Sequence, residues 1–252
     1  MIATAALHSR TRQALIGGAL ALAILSAWLA IHLYAMFFYR IDGSDWPLVL
    51  PMVALQCWLS VGMFIVSHDA MHGSLIPGRP RVNGAVGASL LFLYAGFGWR
   101  GMRSAHFSHH RAPGGDEDPD FDVRHPDRFW GWYATFLRRY FGWGSAAFVC
   151  SVVAVYWLGG VPVANIVLLY GLPAIASSMQ LFYFGTYRPH RHADRFVDRH
   201  RARSEQFGGL ASLLSCFHFG YHHEHHLSPN VPWWALPGQR RLGRPTTESV
   251  SP

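Results

Sequence analysis

The chain has 252 residues, of which 51% are hydrophobic, 15% aromatic and only 14% charged, against roughly 25% charged in an ordinary soluble domain. Its formal charge is +7 and all 21 basic residues are arginine. Because those arginines alternate with long apolar runs, the composition points to a membrane surface and against a nucleic-acid partner or a soluble enzyme.

The length fits one domain, residues 1–252, with loose tails at 1–9 and 240–252. "MIATAALHSRTRQ" shows no small-residue cleavage site and reads as an uncleaved start. The apolar stretch 13–38 is long enough to cross a bilayer, which takes about 20 residues. A short polar turn separates it from a second span at 46–67. Residues 84–99 make a shorter apolar segment, expected as a re-entrant or interfacial helix. The aromatic and basic segment 128–143 is expected to lie in the headgroup layer. Residues 144–187 carry no charge and suffice for two spans, with "GGVP" as the turn between them. Cys57, Cys150 and Cys216 are far apart in apolar contexts and read as packing rather than as disulfides or a zinc site. The expected fold is all-α: an integral membrane protein with about four transmembrane helices and short interfacial ones.

Two hairpins of spans place the N-terminus, residues 68–143 and residues 188–252 on one side. That side holds every arginine except Arg40, which marks it as cytoplasmic. Four histidine clusters start where apolar segments reach the same side: "HDAMH" (68–72), "HFSHH" (106–110), "PHRH" (189–192) and "HFGYHHEHH" (218–226). On a helix, positions i, i+3 and i+4 share a face. His68 and His72 are an i, i+4 pair, while His106, His109 and His110, and again His222, His225 and His226, follow i, i+3, i+4. Each cluster is therefore expected to aim its ring nitrogens at one point, with His190 and His192 closing the site from a fourth direction. A lone H-x-x-x-H arises by chance; two H-x-x-H-H copies and the pair at one membrane face do not.

Neutral imidazole is the commonest metal ligand and suits zinc, copper, iron and nickel. Eight to ten imidazoles are too many for one ion, and the zinc-protease pattern H-E-x-x-H is not met, because Leu227 stands at its fifth position. Two irons with positions left open for oxygen fit best. His218 shares the face of His222 and reads equally as ligand or neighbour; His223 is one step off that face and is expected to make a hydrogen bond. His8, His32, His125 and His200 have no pattern. Asp69, next to His68, is placed to orient a ligand ring. In the acidic run "GGDEDPDFD", Asp118 and Asp120 follow the second box closely enough to touch the site or the substrate. The bland reading of such a run is solvated surface.

The pattern H-x-x-x-H, H-x-x-H-H, H-x-x-H-H resembles that of the membrane fatty acid desaturase and hydroxylase superfamily. The blocks "FIVSHDAMHGSLIPGRPRVN", "SAHFSHHRAPGGDEDPDF", "LFYFGTYRPHRH" and "CFHFGYHHEHHLSPNVPWW" are similar to the bacterial β-carotene ketolases, over about residues 10–236. The resemblance implies a di-iron oxygenase that uses dioxygen and external electrons, ferredoxin being the usual donor kind. It implies oxidation of ring carbon 4 of β-carotene to echinenone and canthaxanthin, or of zeaxanthin towards astaxanthin, on substrate drawn from the lipid phase. It also implies a bacterial inner-membrane protein, in which the arginine bias puts both termini and the metal site in the cytoplasm. Carried over residue by residue, the ligands are His68, His72, His106, His109, His110, His222, His225 and His226, with His190 the next addition and His192 after it. Competing readings are a fatty acyl desaturase or hydroxylase, a carotenoid ring hydroxylase and, in another class, a membrane metal transporter. Transporter ionisable groups lie near mid-membrane on broken helices, whereas these cluster beyond the span ends.

Overall fold

The computed structural model describes residues 2–44, 46–192 and 195–242, and these are helical or irregular, with no strand among them. Helix α1 (Ile2–Leu33) continues through a π-helical turn at Tyr34–Phe38, and α2 (Trp46–His72) returns beside it. The two are joined along their length. Gln13 Nε2 donates to the Ser74 carbonyl (2.6 Å) and Trp28 Nε1 to Ser60 Oγ (2.9 Å).

Helix α3 (Pro80–Ala95) stops where Gly96 takes φ 68°, a left-handed conformation that glycine adopts without steric cost. The same residue must be small, since a Cβ on it would fall 2.6 Å from Phe148 Cβ. The chain then turns by 101° into α4 (Trp99–Arg111). Helix α5 (Phe129–Tyr140) is followed across an 86° bend by α6 (Trp143–Leu158). After the expected break at residues 159–162, α7 runs over Val163–His190 with π-helical turns at Ile166–Gly171 and Tyr183–Tyr187. Short helices α8 (Gly209–Cys216), α9 (His222–Leu227) and α10 (Leu236–Leu242) complete the described chain.

Three helices are long and apolar enough to cross a membrane: Ser9–Phe38, Trp46–His72 and Val163–His190. The number rises to five if each bent pair, α3–α4 and α5–α6, is one span. The expected count of four thus becomes three to five. Helix α6 has only 16 residues, short of a full crossing unless α5 continues it. The segment expected at 84–99 is displaced: α3 begins at Pro80 and ends at the glycine turn. Large apolar side chains such as Leu22, Leu50, Trp143, Leu158 and Ile175 point outward, which in a charge-poor helical chain indicates a lipid-facing surface. Of the expected tails, residues 1 and 243–252 lie outside the described residues, as does the side chain of His8.

The two ends of the helical body differ. Opposite the histidines, Asn165 Nδ2 donates to the carbonyls of Ala35 (2.7 Å) and Tyr39 (2.8 Å), tying α7 to the end of α1 amid buried Met36, Val49 and Leu169. Toward the histidines, Met63, Ile65, Phe217 and Trp233 form the main core. Gly62 lets the Phe217 ring lie against α2, where a Cβ would sit 2.6 Å from Phe217 Cζ. Phe217 (φ 49°) and His218 (φ 62°) then reverse the chain in the left-handed region and deliver α9 to the end of α2. Non-glycine residues rarely take that conformation, so packing at Phe217 has to hold it.

Candidate metal centre and its cavity

Nine histidines from four helices meet beneath the ends of α2 and α7, in two groups. One comprises His68 and His72 of α2, His106 and His110 of α4, and His225 of α9. The other comprises His109 of α4, His190 of α7, and His222 and His226 of α9. Within each group one ring nitrogen per residue lies within 4.8 Å of all the others, a spacing that could hold a metal ion.

The partition corrects the expectation that each cluster converges on a single point. In both H-x-x-H-H boxes the i, i+4 residues stay together and the middle histidine crosses over. His106 and His110 serve the first group while His109 serves the second, and His222 and His226 serve the second while His225 serves the first. Adjacent helical residues diverge by about 100°, as 3.6 residues per turn require, so neighbours such as His109 and His110 reach different points.

Hydrogen positions in the second group follow from its surroundings. His109 Nδ1 lies 2.9 Å and 3.0 Å from the two oxygens of Asp118, and His190 Nδ1 lies 2.7 Å from the Arg201 carbonyl. Both partners are acceptors, so both Nδ1 atoms carry a proton, and in the neutral ring, the form that ligates a metal, both Nε2 atoms then present a bare lone pair. His226 Nε2 lies 3.2 Å from that of His109, and His222 Nε2 lies 2.9 Å from that of His190. If His226 and His222 donate across these contacts, their own Nε2 atoms, 3.1 Å apart, bring two N–H groups together. Four lone pairs aimed at one cation remove the conflict. In the first group, His72 Nε2 meets His106 Nε2 at 2.6 Å and His110 Nε2 meets His225 Nε2 at 3.0 Å. Both ring nitrogens of His68 are buried without a hydrogen-bond partner, a costly state unless a ligand occupies them. The donor set fits two cations.

Burial, reinforced by neighbouring imidazoles, pushes His222, His225 and His226 well below the ordinary histidine range, so they stay neutral and able to ligate. Asp118 is sealed, its side chain only 1% exposed. Burial alone raises its carboxyl, but hydrogen bonds from His109 and from the N–H groups of Gly114 (2.7 Å) and Asp120 (2.8 Å) hold it below the ordinary carboxylate range.

The remaining expected residues fall as follows. Asp69 is buried, but its Oδ2 accepts the Trp233 N–H (3.0 Å), and its Oδ1 is 3.8 Å from His68 Nδ1, beyond hydrogen-bond range. It ties the end of α2 to the turn at Trp233–Ala235. His192 stacks on Phe121 and His218 stacks on Tyr221 and Trp233, both outside the two groups. His223 makes the expected hydrogen bond, to Asp198 Oδ2 at 2.8 Å. His32 pairs with the Tyr156 hydroxyl (2.6 Å) and His125 with Asp122 (3.0 Å), while the His200 ring lies 6.1 Å from that of His226. All three cysteines are free.

Above the histidines an apolar cavity of about 870 Å³, open mouth included, lies between α2, α4, α5 and α7. Its floor carries His68 and His106 from one group and His109 and His222 from the other. Its walls include Phe64, Met71, Phe97, Phe136, Leu181 and Phe219. Asp120 and Tyr140 also line it, and the Tyr140 hydroxyl donates to Asp120 Oδ1. Tyr140 was not anticipated from sequence. Its i, i+4 spacing from Phe136, another lining residue, is the signal that could have placed it.

The fatty acid desaturase family profile matches residues 44–160 and 143–249. The chain belongs to the fatty acid desaturase family. Among curated relatives, a beta-carotene ketolase of a Paracoccus species is 51% identical over 223 residues, covering 87% of this chain and 90% of the relative. A beta-carotene ketolase from another Paracoccus strain is 46% identical over 92% of this chain and 96% of its own length. The zeaxanthin 4-ketolase of Chlamydomonas reinhardtii is 30% identical over 94% of this chain and 56% of its own. Within the fatty acid desaturase family, histidine groups able to hold metal indicate iron, and the long apolar helices indicate a membrane protein.

Proposed function

We propose that this chain is a membrane carotenoid 4-ketolase, an oxygenase that converts the ring methylene at carbon 4 of a β-ionone ring to a ketone. β-Carotene would pass through echinenone to canthaxanthin, and 3-hydroxylated rings towards astaxanthin. One observation carries the reading: an apolar cavity whose floor presents both histidine groups, in a chain half identical to a beta-carotene ketolase.

The ligands are His68, His72, His106, His110 and His225 for one ion, and His109, His190, His222 and His226 for the other. Imidazole suits iron, and groups of five and four leave coordination positions open. Iron held there would supply the reductive activation of dioxygen and the oxidising power that the allylic methylene requires. Each round consumes one dioxygen, two electrons and two protons, leaves one oxygen on the ring carbon and releases one water. The first round gives the 4-hydroxy ring; the second gives a geminal diol, which loses water to the ketone. The electrons come from a reduced carrier protein, with a ferredoxin as the expected kind.

The chain's own residues do the positioning. Asp118 and the Arg201 carbonyl fix the ring orientation and tautomer of His109 and His190. The apolar walls keep water from the reacting carbon and admit a substrate delivered by lipid. The arginine asymmetry supports an inner-membrane orientation with both termini and the metal centre in the cytoplasm.

The test is pigment chromatography of a β-carotene-producing bacterial host expressing the chain or its His225→Ala variant. New echinenone and canthaxanthin, absent with the variant, is the expected result. Unchanged β-carotene beside iron-loaded protein in the membrane refutes the carotenoid assignment and turns the search to acyl chains.

A further inference from the structure

The cavity has few polar side chains besides its histidines, and two of them are engaged with residues behind the wall. The Tyr94 hydroxyl pairs with Ser177 Oγ (3.0 Å), and Ser178 Oγ accepts from the Tyr133 hydroxyl (3.1 Å). Asp120 differs. Tyr140 holds its Oδ1, while its Oδ2 lies 3.8 Å from His109 Nδ1, whose proton Asp118 already takes. Its side chain is 16% exposed, against 1% for Asp118, although the loop around it is pinned. Arg139 donates to the carbonyls of Pro119 and Phe121, and Trp132 Nε1 to that of Asp120 itself (2.7 Å). A fixed carboxylate with one oxygen free therefore faces an apolar chamber beside the metal centre.

An unsubstituted β-ionone ring offers no group for that oxygen. A ring hydroxylated at carbon 3 does, and carbon 3 is bonded to carbon 4, the carbon to be oxidised. When carbon 4 rests over the histidines, the hydroxyl lies one bond further on, among the lining residues that include Asp120. A hydroxyl can donate to a carboxylate or accept from a carboxylic acid, so the contact forms in either protonation state.

We propose that Asp120, held in place by Tyr140, is the hydrogen-bond partner of the 3-hydroxyl, and that this pair sets how well hydroxylated rings are ketolated relative to unsubstituted ones. The inference rests on the ketolase reading and adds to it a residue that selects among substrates.

The test uses the full chain in bacterial membranes supplied with β-carotene and zeaxanthin together, comparing wild type with Asp120→Leu, Tyr140→Phe and Asp120→Asn. Because both substrates compete for the same molecules, the ratio of ketolated 3-hydroxy rings to ketolated unsubstituted rings is independent of how much protein folds. The expected result is a fall in that ratio of about tenfold for Asp120→Leu, the scale of one lost hydrogen bond in a buried site. A smaller fall is expected for Tyr140→Phe, and partial recovery for Asp120→Asn, whose amide still bonds a hydroxyl. A proportional loss on both substrates, with the ratio unchanged, overturns the proposal and assigns the pair to supporting the loop or His109. Unaltered conversion of both overturns it as well. Wild type that ketolates β-carotene but not zeaxanthin overturns the inference while leaving the ketolase reading intact; wild type that ketolates neither overturns both.

Discussion

Replacing Asp118 by asparagine is the sharpest probe of how the second histidine group is held. The carboxylate receives three donors: His109 Nδ1, the Gly114 N–H on Oδ2 and the Asp120 N–H on Oδ1. Asparagine keeps the shape but turns one oxygen into an NH₂ group. Whichever way the amide is oriented, one backbone N–H then faces another donor in a sealed site, at a cost of about 1–3 kcal/mol. His109 also loses its charged partner and with it the fixed tautomer that bares Nε2. Losing such an outer partner typically lowers metal affinity or activity by about 10- to 100-fold, a range that matches the hydrogen-bond cost. The assay is iron retained per chain by detergent-purified protein against a graded competing chelator, with Asp122→Asn as control, since Asp122 bonds His125, the Arg124 N–H and Thr135, none of them in either histidine group. Iron retention by Asp118→Asn equal to wild type would refute the claim that this carboxylate positions a ligand.

Three further outcomes are expected. His72→Ala and His190→Ala, which touch different groups, should each lower bound iron below two per chain and abolish ketone formation; full iron content in either, by elemental analysis, removes that residue from the ligand set. Gly62→Ala forces a methyl against the fully buried Phe217 ring; overpacking of about 1–3 kcal/mol should lower the thermal midpoint in detergent, and an unchanged midpoint shows that the ring can yield. Stripping iron with a chelator should also lower that midpoint, because His68 is left with two buried, unpartnered nitrogens; equal midpoints for stripped and loaded protein argue that the rings satisfy one another without metal.

The histidines were legible in the sequence because helical spacing is local: a box of i, i+3, i+4 imidazoles displays its geometry in five residues. What the spacing did not contain was the destination of each ring. His109 and His110 are neighbours, and only the placement of α2, α7 and α9 around α4 decides that one joins His190 and the other joins His72. The long spans were legible for the same local reason. The bent pairs were not, because Gly96 and the irregular residues between α5 and α6 set angles of 101° and 86° that apolar length does not encode. What Tyr140 and the Arg201 carbonyl bind was hidden for another reason. One reaches its partner across 20 residues and the other across 11, through contacts of folded loops that no motif spans.

The exchange of middle histidines between the two boxes has a consequence for how the centre fills. On the proposed ligation, α4 and α9 each commit side chains to both ions, so the first ion bound draws the same two helices into the pose the second requires. Neither position is then an independent binding site. Loading should be cooperative, and a titration of the metal-free protein with ferrous iron should pass from empty to two ions per chain with the singly loaded species scarce throughout.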